Sequence, residues 1–219
     1  MELVIQNNKM KIIVNLLKIL LLFFLLNYLN LFLFKVVEFF VNKDLITLDL
    51  VFIINLIGST ILITLFSYLS KNNKEYYKLN LKSILIIIIV IIITLVLEVS
   101  LSLFLDSTEQ TIIFHKRMNY YKSVNKLLLI LQIIVFSPIE EELFFRKIIF
   151  TYLENRKLAL IVSIILFAFA HSYFNLEIFI LFLPISIIIS LIYYKTNSLK
   201  VNCIFHMLFN CFAIIKYLI

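Results

Sequence analysis

The chain has 219 residues, is 63% hydrophobic, carries a formal net charge of +7 and has a mean hydropathy of +1.08. A soluble domain of this size must solvate its surface and rarely carries such an average, so the composition points to an integral membrane protein. The excess of Lys and Arg is spread through short loops with no long basic run. It suits membrane topology and anionic lipid headgroups, and nothing in it calls for a nucleic-acid partner.

Hydropathy predicts an all-α fold, a polytopic transmembrane helical bundle of about seven spans, at about 12–34, 47–69, 83–105, 127–150, 158–173, 176–194 and 199–219. The basic amino terminus leads into an apolar stretch too long for a signal peptide and without a small-residue cleavage site, so the first span is expected to be retained. The third span, SILIIIIVIIITLVLEVSLSLF, holds one acid, Glu98, which is expected to meet a polar group of the bundle. The longest polar stretch, 106–126, suits a surface helix. Residues 1–105 therefore read as an N-terminal group of three spans and 106–219 as the domain that carries the chemistry.

The Lys-rich loop at 70–82 and the basic loops near 156 and 195–200 favour a cytoplasmic N-terminus, although the basic stretch 116–126 opposes it. One Gly, no Trp and an excess of Ile, Leu, Phe, Lys and Asn suggest an AT-rich genome and a bacterial cell membrane, with 11 Tyr available for the interfacial role of Trp. No internal repeat is visible, which argues against an inverted-repeat transporter. Cys203 and Cys211 lie about 12 Å apart along one helix, beyond disulfide reach, and read as buried apolar fillers.

Polar residues then recur inside the most apolar segments. In the fourth span, LLLILQIIVFSPIEEELFFRKIIF, Pro138 removes a backbone donor and is expected to kink the helix near the carboxylates, freeing carbonyls. Glu142 and Arg146 stand at i,i+4 in the favourable orientation for an ion pair. Glu141 points about 100° away around the helix and is left for another partner. The plainer reading of Glu140, Glu141, Glu142, Arg146 and Lys147 is an interfacial helix end. His171 closes the fifth span, where a hydrogen-bonded interfacial role is the common one. His206 and Asn210 stand at i,i+4 in the seventh span and share a face; the plainer reading there is a helix–helix hydrogen bond.

Three such sites together, holding two carboxylates, two imidazoles and an amide, are an inventory for activating water and stabilising an oxyanion. There is no His-Glu-x-x-His, and Gly58 is the sole glycine, so a zincin motif and a Gly-x-Ser-x-Gly elbow are absent.

Glu141-Glu142-Leu143-Phe144-Phe145-Arg146 matches Glu-Glu-x-x-x-Arg, Phe167-Ala168-Phe169-Ala170-His171 matches Phe-x-x-x-His, and His206-Met207-Leu208-Phe209-Asn210 matches His-x-x-x-Asn. In this order, over about residues 127–215, the motifs resemble the CAAX protease and bacteriocin-processing family of intramembrane proteases, also called the Abi family, whose eukaryotic branch is the type II CAAX prenyl endopeptidases. The resemblance implies an endopeptidase in which Glu141 activates a water, His171 helps hold or deprotonate it, and His206 and Asn210 donate to the oxyanion. Glu142 and Arg146 would brace the site. It implies a peptide or protein substrate presented at the bilayer, with bacteriocin self-immunity or peptide maturation as the setting. The expected cofactor is none; the alternative is zinc held by Glu141, His171 and His206. Two other readings are a non-catalytic immunity or scaffold protein on the same bundle and a proton-coupled transporter relaying through Glu98, Gln132, Glu141 and His171.

Overall fold

A computed structural model of the protein describes residues 10–26, 39, 47–70, 81–104, 123–172 and 174–218. The side chain of Glu98 and the polar stretch 106–122 lie outside the described residues. Within them run seven helices and no strand: α1 over 10–26, α2 Leu48–Leu69, α3 Leu81–Phe104, α4 over 126–152, α5 Arg156–Ser172, α6 Leu176–Thr196 and α7 Leu199–Leu218. The all-α expectation holds, and the helices follow the predicted apolar windows, except that the end of the first window, 27–34, lies outside the described residues.

Those limits are set largely by asparagine. An Asn side chain accepts from N–H groups that a helix start leaves unpaired. Asn125 does this for Leu127 (2.9 Å), Asn155 for Lys157 and Leu158 (3.1 and 3.2 Å), and Asn175 for Ile178 (3.0 Å). Asn197 ends α6 in the left-handed region at φ 50°, a conformation Asn tolerates better than most residues. Arg156 clasps that same end, donating through Nη2 to the Tyr194 carbonyl (2.7 Å) and through Nη1 to Asn197 Oδ1 (3.1 Å). A cation there also meets the negative end of the helix dipole.

The N-terminal helices are tied to α4 at its two ends. Lys11 pairs with Glu154 at 2.6 Å and Asn15 donates to the Tyr152 carbonyl at 2.9 Å, both just where α4 finishes. Asp49 accepts from the Asn125 N–H at 2.8 Å, so α2 and α4 begin side by side and run parallel. Phe23 of α1 meets Phe144, Phe145 and Phe169 at centroid distances of 6.4, 6.3 and 6.1 Å. The main buried cluster is built on these rings with Phe66, Phe167, Ile149 and Phe205.

α5 and α6 share the most extensive helix contact. Small buried residues, Ala159, Ser163, Ser186 and Ser190, let their backbones approach. Ser186 donates to the Ile164 carbonyl (2.7 Å) and the Ser163 and Ser190 hydroxyls meet at 3.2 Å, so closeness leaves those hydroxyls paired.

α4 passes twice through a wider, π-helical register. It is α-helical over Lys126–Ile130, π-helical over Leu131–Phe136, α-helical over Ser137–Glu142, π-helical over Leu143–Ile148 and α-helical again to Tyr152. The widened turns bracket Ser-Pro-Ile-Glu-Glu-Glu. Insertions of this kind concentrate at functional sites because they re-aim the side chains that follow.

Outside, the bundle is strongly apolar: Leu85, Ile86, Ile89, Ile92, Ile93, Val96 and Val99 of α3 are all exposed, as are Ile57 and Ile61 of α2. So large an exposed apolar surface suits lipid better than water. Leu48–Leu69 and Leu176–Thr196 are long and apolar enough to cross a membrane, and Leu85–Leu97 and Leu199–Phe212 are shorter apolar helices. Cys203 and Cys211 are half-buried, not the fully buried fillers expected, because the face of α7 that carries them is only partly covered.

Candidate active site

Pro138 explains the first change of register. In the π register an N–H bonds the carbonyl five residues back, as Ser137 does to Gln132. The next residue is Pro138, which has no N–H, so the Ile133 carbonyl is left without its partner in that register. Asn210 of α7 supplies it, donating through Nδ2 at 2.9 Å. The freed carbonyl expected from the sequence is therefore a docking point for α7.

Behind the carboxylate pair lies a fully buried brace. Glu142 and Arg146 both have no exposed side-chain surface, and Arg146 Nε stands 3.3 Å from Glu142 Oε2. This ion pair was expected from the i,i+4 spacing. The guanidinium also reaches Ser190 Oγ (3.4 Å) and lies over the Phe167 ring, 4.4 Å from its centroid. Glu142 accepts from two residues of α7: Asn202 Nδ2 at 3.1 Å and His206 Nδ1 at 2.8 Å. Asn202 in turn donates to the Ile189 carbonyl of α6 at 2.7 Å, so one buried amide links three helices.

Asn202 did not stand out in the sequence. The available signal was its position: Asn202, His206 and Asn210 succeed one another at i, i+4 and i+8 and so share one stripe of α7. On α4, Asn202 and His206 share Glu142, and Asn210 meets Ile133 further along.

In front of the brace, two imidazoles face Glu141. His171 Nε2 is 3.5 Å from Glu141 Oε2 and His206 Nε2 is 3.8 Å from the same oxygen. The other nitrogen of each ring fixes the tautomer. His171 Nδ1 lies 2.8 Å from the Phe167 carbonyl, which can only accept, and His206 Nδ1 lies 2.8 Å from a Glu142 carboxylate oxygen. Both Nδ1 atoms therefore carry hydrogen, and in the neutral rings both Nε2 atoms present lone pairs toward Glu141. Glu141 Oε2 is itself buried and accepts no hydrogen bond from the described residues. With both rings neutral and Glu141 ionised, three acceptor atoms share this space.

Phe167 is the hub of this arrangement, with His171 at 4.5 Å, His206 at 5.8 Å and Phe145 at 5.2 Å between ring centroids. Of the residues singled out from the sequence, Glu141, His171 and His206 meet directly. Glu142 and Arg146 stand behind them, and Asn210 lies one turn further along α7 with one of its two amide hydrogens on Ile133.

A tetrahedral zinc ion would need bonds of about 2.0–2.2 Å to Glu141, His171 and His206, which sets donor atoms about 3.3–3.6 Å apart. The fixed tautomers would suit a ligand role. The 3.5 Å from His171 falls within that spacing and the 3.8 Å from His206 lies just beyond it, and among the described residues no group of three or more His, Cys, Asp or Glu side chains is already arranged to hold a metal ion.

Residues 123–212 match the family model described as type II CAAX prenyl endopeptidase Rce1-like, which bears out the resemblance carried by the three ordered motifs. The match takes in every residue of the brace and of the facing carboxylate and imidazoles. The family is one of membrane proteases. No curated protein and no solved structure matches the chain.

Proposed function

We propose that the chain is an intramembrane endopeptidase in which Glu141 activates a water for attack on a peptide carbonyl, with no metal ion taking part. The observation that carries the reading is the convergence of His171 Nε2 and His206 Nε2 on Glu141 Oε2 at 3.5 and 3.8 Å. Acceptors that face one another repel unless hydrogen lies between them. A water brings two hydrogens to such a space and leaves its oxygen lone pair for the substrate.

In the reaction, Glu141 takes a proton as the water oxygen bonds to the carbonyl carbon, and the carbonyl oxygen becomes an oxyanion. Collapse breaks the C–N bond, and the proton held on Glu141 passes to the departing nitrogen, so the carboxylate is restored. His171 holds the water from its second side. His206, with its Nδ1–H on the Glu142 carboxylate, takes a proton from solvent at Nε2 as the peptide binds, donates that hydrogen to the oxyanion, and returns the proton to solvent when product leaves. The second amide hydrogen of Asn210 is the other donor. Glu142 and Arg146 keep the imidazole of His206 aligned without entering the reaction.

The apolar exterior and the Rce1-like segment support a membrane setting. The substrate is a peptide or protein segment presented at the bilayer, and the role is peptide maturation or bacteriocin self-immunity in a bacterial membrane. The test uses the full chain in liposomes with a library of internally quenched peptides. Wild type is expected to cleave, and Glu141→Gln to lose about 10²–10⁴-fold in rate, the usual worth of a general base. Full activity in Glu141→Gln would sink the mechanism, whereas a wild type that cleaves nothing would favour a non-catalytic immunity protein.

A further inference from the structure

We infer that Phe182 of α6 is a positioning residue for His171. This rests on the reading that His171 and Glu141 hold the attacking water. The His171 ring lies against two phenyl rings: Phe167, one turn earlier on its own helix, at 4.5 Å and 31°, and Phe182 at 4.9 Å and 27°. Both the bond from Nδ1 to the Phe167 carbonyl and the contact with the Phe167 ring act from within α5, and they oppose rotation of the imidazole about its side-chain bonds from one side. A nearly parallel ring from a second helix removes that motion, because any swing of the imidazole would break the stack. Nε2 is then kept 3.5 Å from Glu141 Oε2. None of the three sequence motifs includes Phe182, and it is only partly buried at the edge of the main cluster, where Leu or Tyr keeps a large side chain in place.

The experiment compares Phe182→Leu and Phe182→Tyr with wild type in liposomes, using one quenched peptide that wild type cleaves. A misplacement of about 1 Å costs on the order of 10²-fold. Phe182→Leu is expected to lower kcat by about 10- to 100-fold with KM unchanged. Phe182→Tyr, which keeps the flat face, restores most of it. In parallel, NMR of the imidazole C–H groups of His171 is recorded in detergent on the Glu141→Gln background, which needs no activity. Those signals are expected upfield from the flanking rings and should move downfield in Phe182→Leu. Signals that do not move would overturn the stack. Signals that move while kcat stays at the wild-type value would overturn the positioning role. Failure of wild type to cleave any peptide would count against the proposed function and leave the NMR result to decide the stack.

Discussion

Replacing Arg146 by Met removes the guanidinium and keeps the bulk of the side chain, and its cost can be worked from the brace. At 3.3 Å from Glu142 Oε2, with an effective dielectric constant of about 20, the attraction is about 5 kcal/mol. Removing one partner of a fully buried pair typically costs about 3–5 kcal/mol, because the other charge stays buried without its counter-ion. Contact with the Phe167 ring at 4.4 Å adds about 0.5–2 kcal/mol. Asn202 and His206 still donate to Glu142, which keeps the loss from exceeding that range. Arg146→Met is therefore expected to destabilise by about 4 kcal/mol. Removing the stranded charge should recover part of it: Glu142→Gln with Arg146→Met is expected to be less destabilised than the sum of the single changes by about 1–3 kcal/mol. The assay is reversible unfolding in mixed micelles, followed by far-ultraviolet circular dichroism over the full double-mutant cycle. A cost below about 1 kcal/mol for Arg146→Met, with additive single effects, would refute the argument that the pair is buried and coupled.

Asn210→Leu leaves the Ile133 carbonyl without a donor and is expected to cost about 1–3 kcal/mol in the same unfolding assay. Adding Pro138→Ala, which gives the helix back an N–H in that register, should reduce the penalty; an unchanged penalty would mean that Pro138 is not what frees the carbonyl. Asn202→Leu removes donors from both Glu142 and the Ile189 carbonyl, and is expected to lower both stability and kcat while leaving KM unchanged. Wild-type kcat in Asn202→Leu would show that the alignment of His206 does not pass through Glu142 and Asn202.

Much of this architecture was legible in the sequence, and the reasons can be traced to particular residues. Length and hydropathy of the apolar windows marked the helices, while the asparagines that set their limits, Asn125, Asn155, Asn175 and Asn197, showed their capping role only in the structure. The Glu142–Arg146 pair followed from i,i+4 spacing, which survives in a helix whose register changes nearby. Two features were hidden for different reasons. The π-helical stretches of α4 leave no periodic trace, and the Ile133 carbonyl in the first of them finds its donor in Asn210, more than 70 residues away. Asn202 and Phe182 are two ordinary letters in a chain rich in Asn and holding 22 Phe. Only the packing of α6 and α7 against α4 and α5 shows that one donates to Glu142 and the other covers His171.

Cleavage by metal-stripped wild type, measured beside Glu141→Gln in the same liposomes, tests the central claim most directly. Peptide cleavage that persists after a zinc chelator and vanishes in Glu141→Gln is the result predicted for a water activated by the carboxylate alone. Cleavage that vanishes on chelation and returns with added zinc would contradict it, and would make Glu141, His171 and His206 ligands that close around a metal.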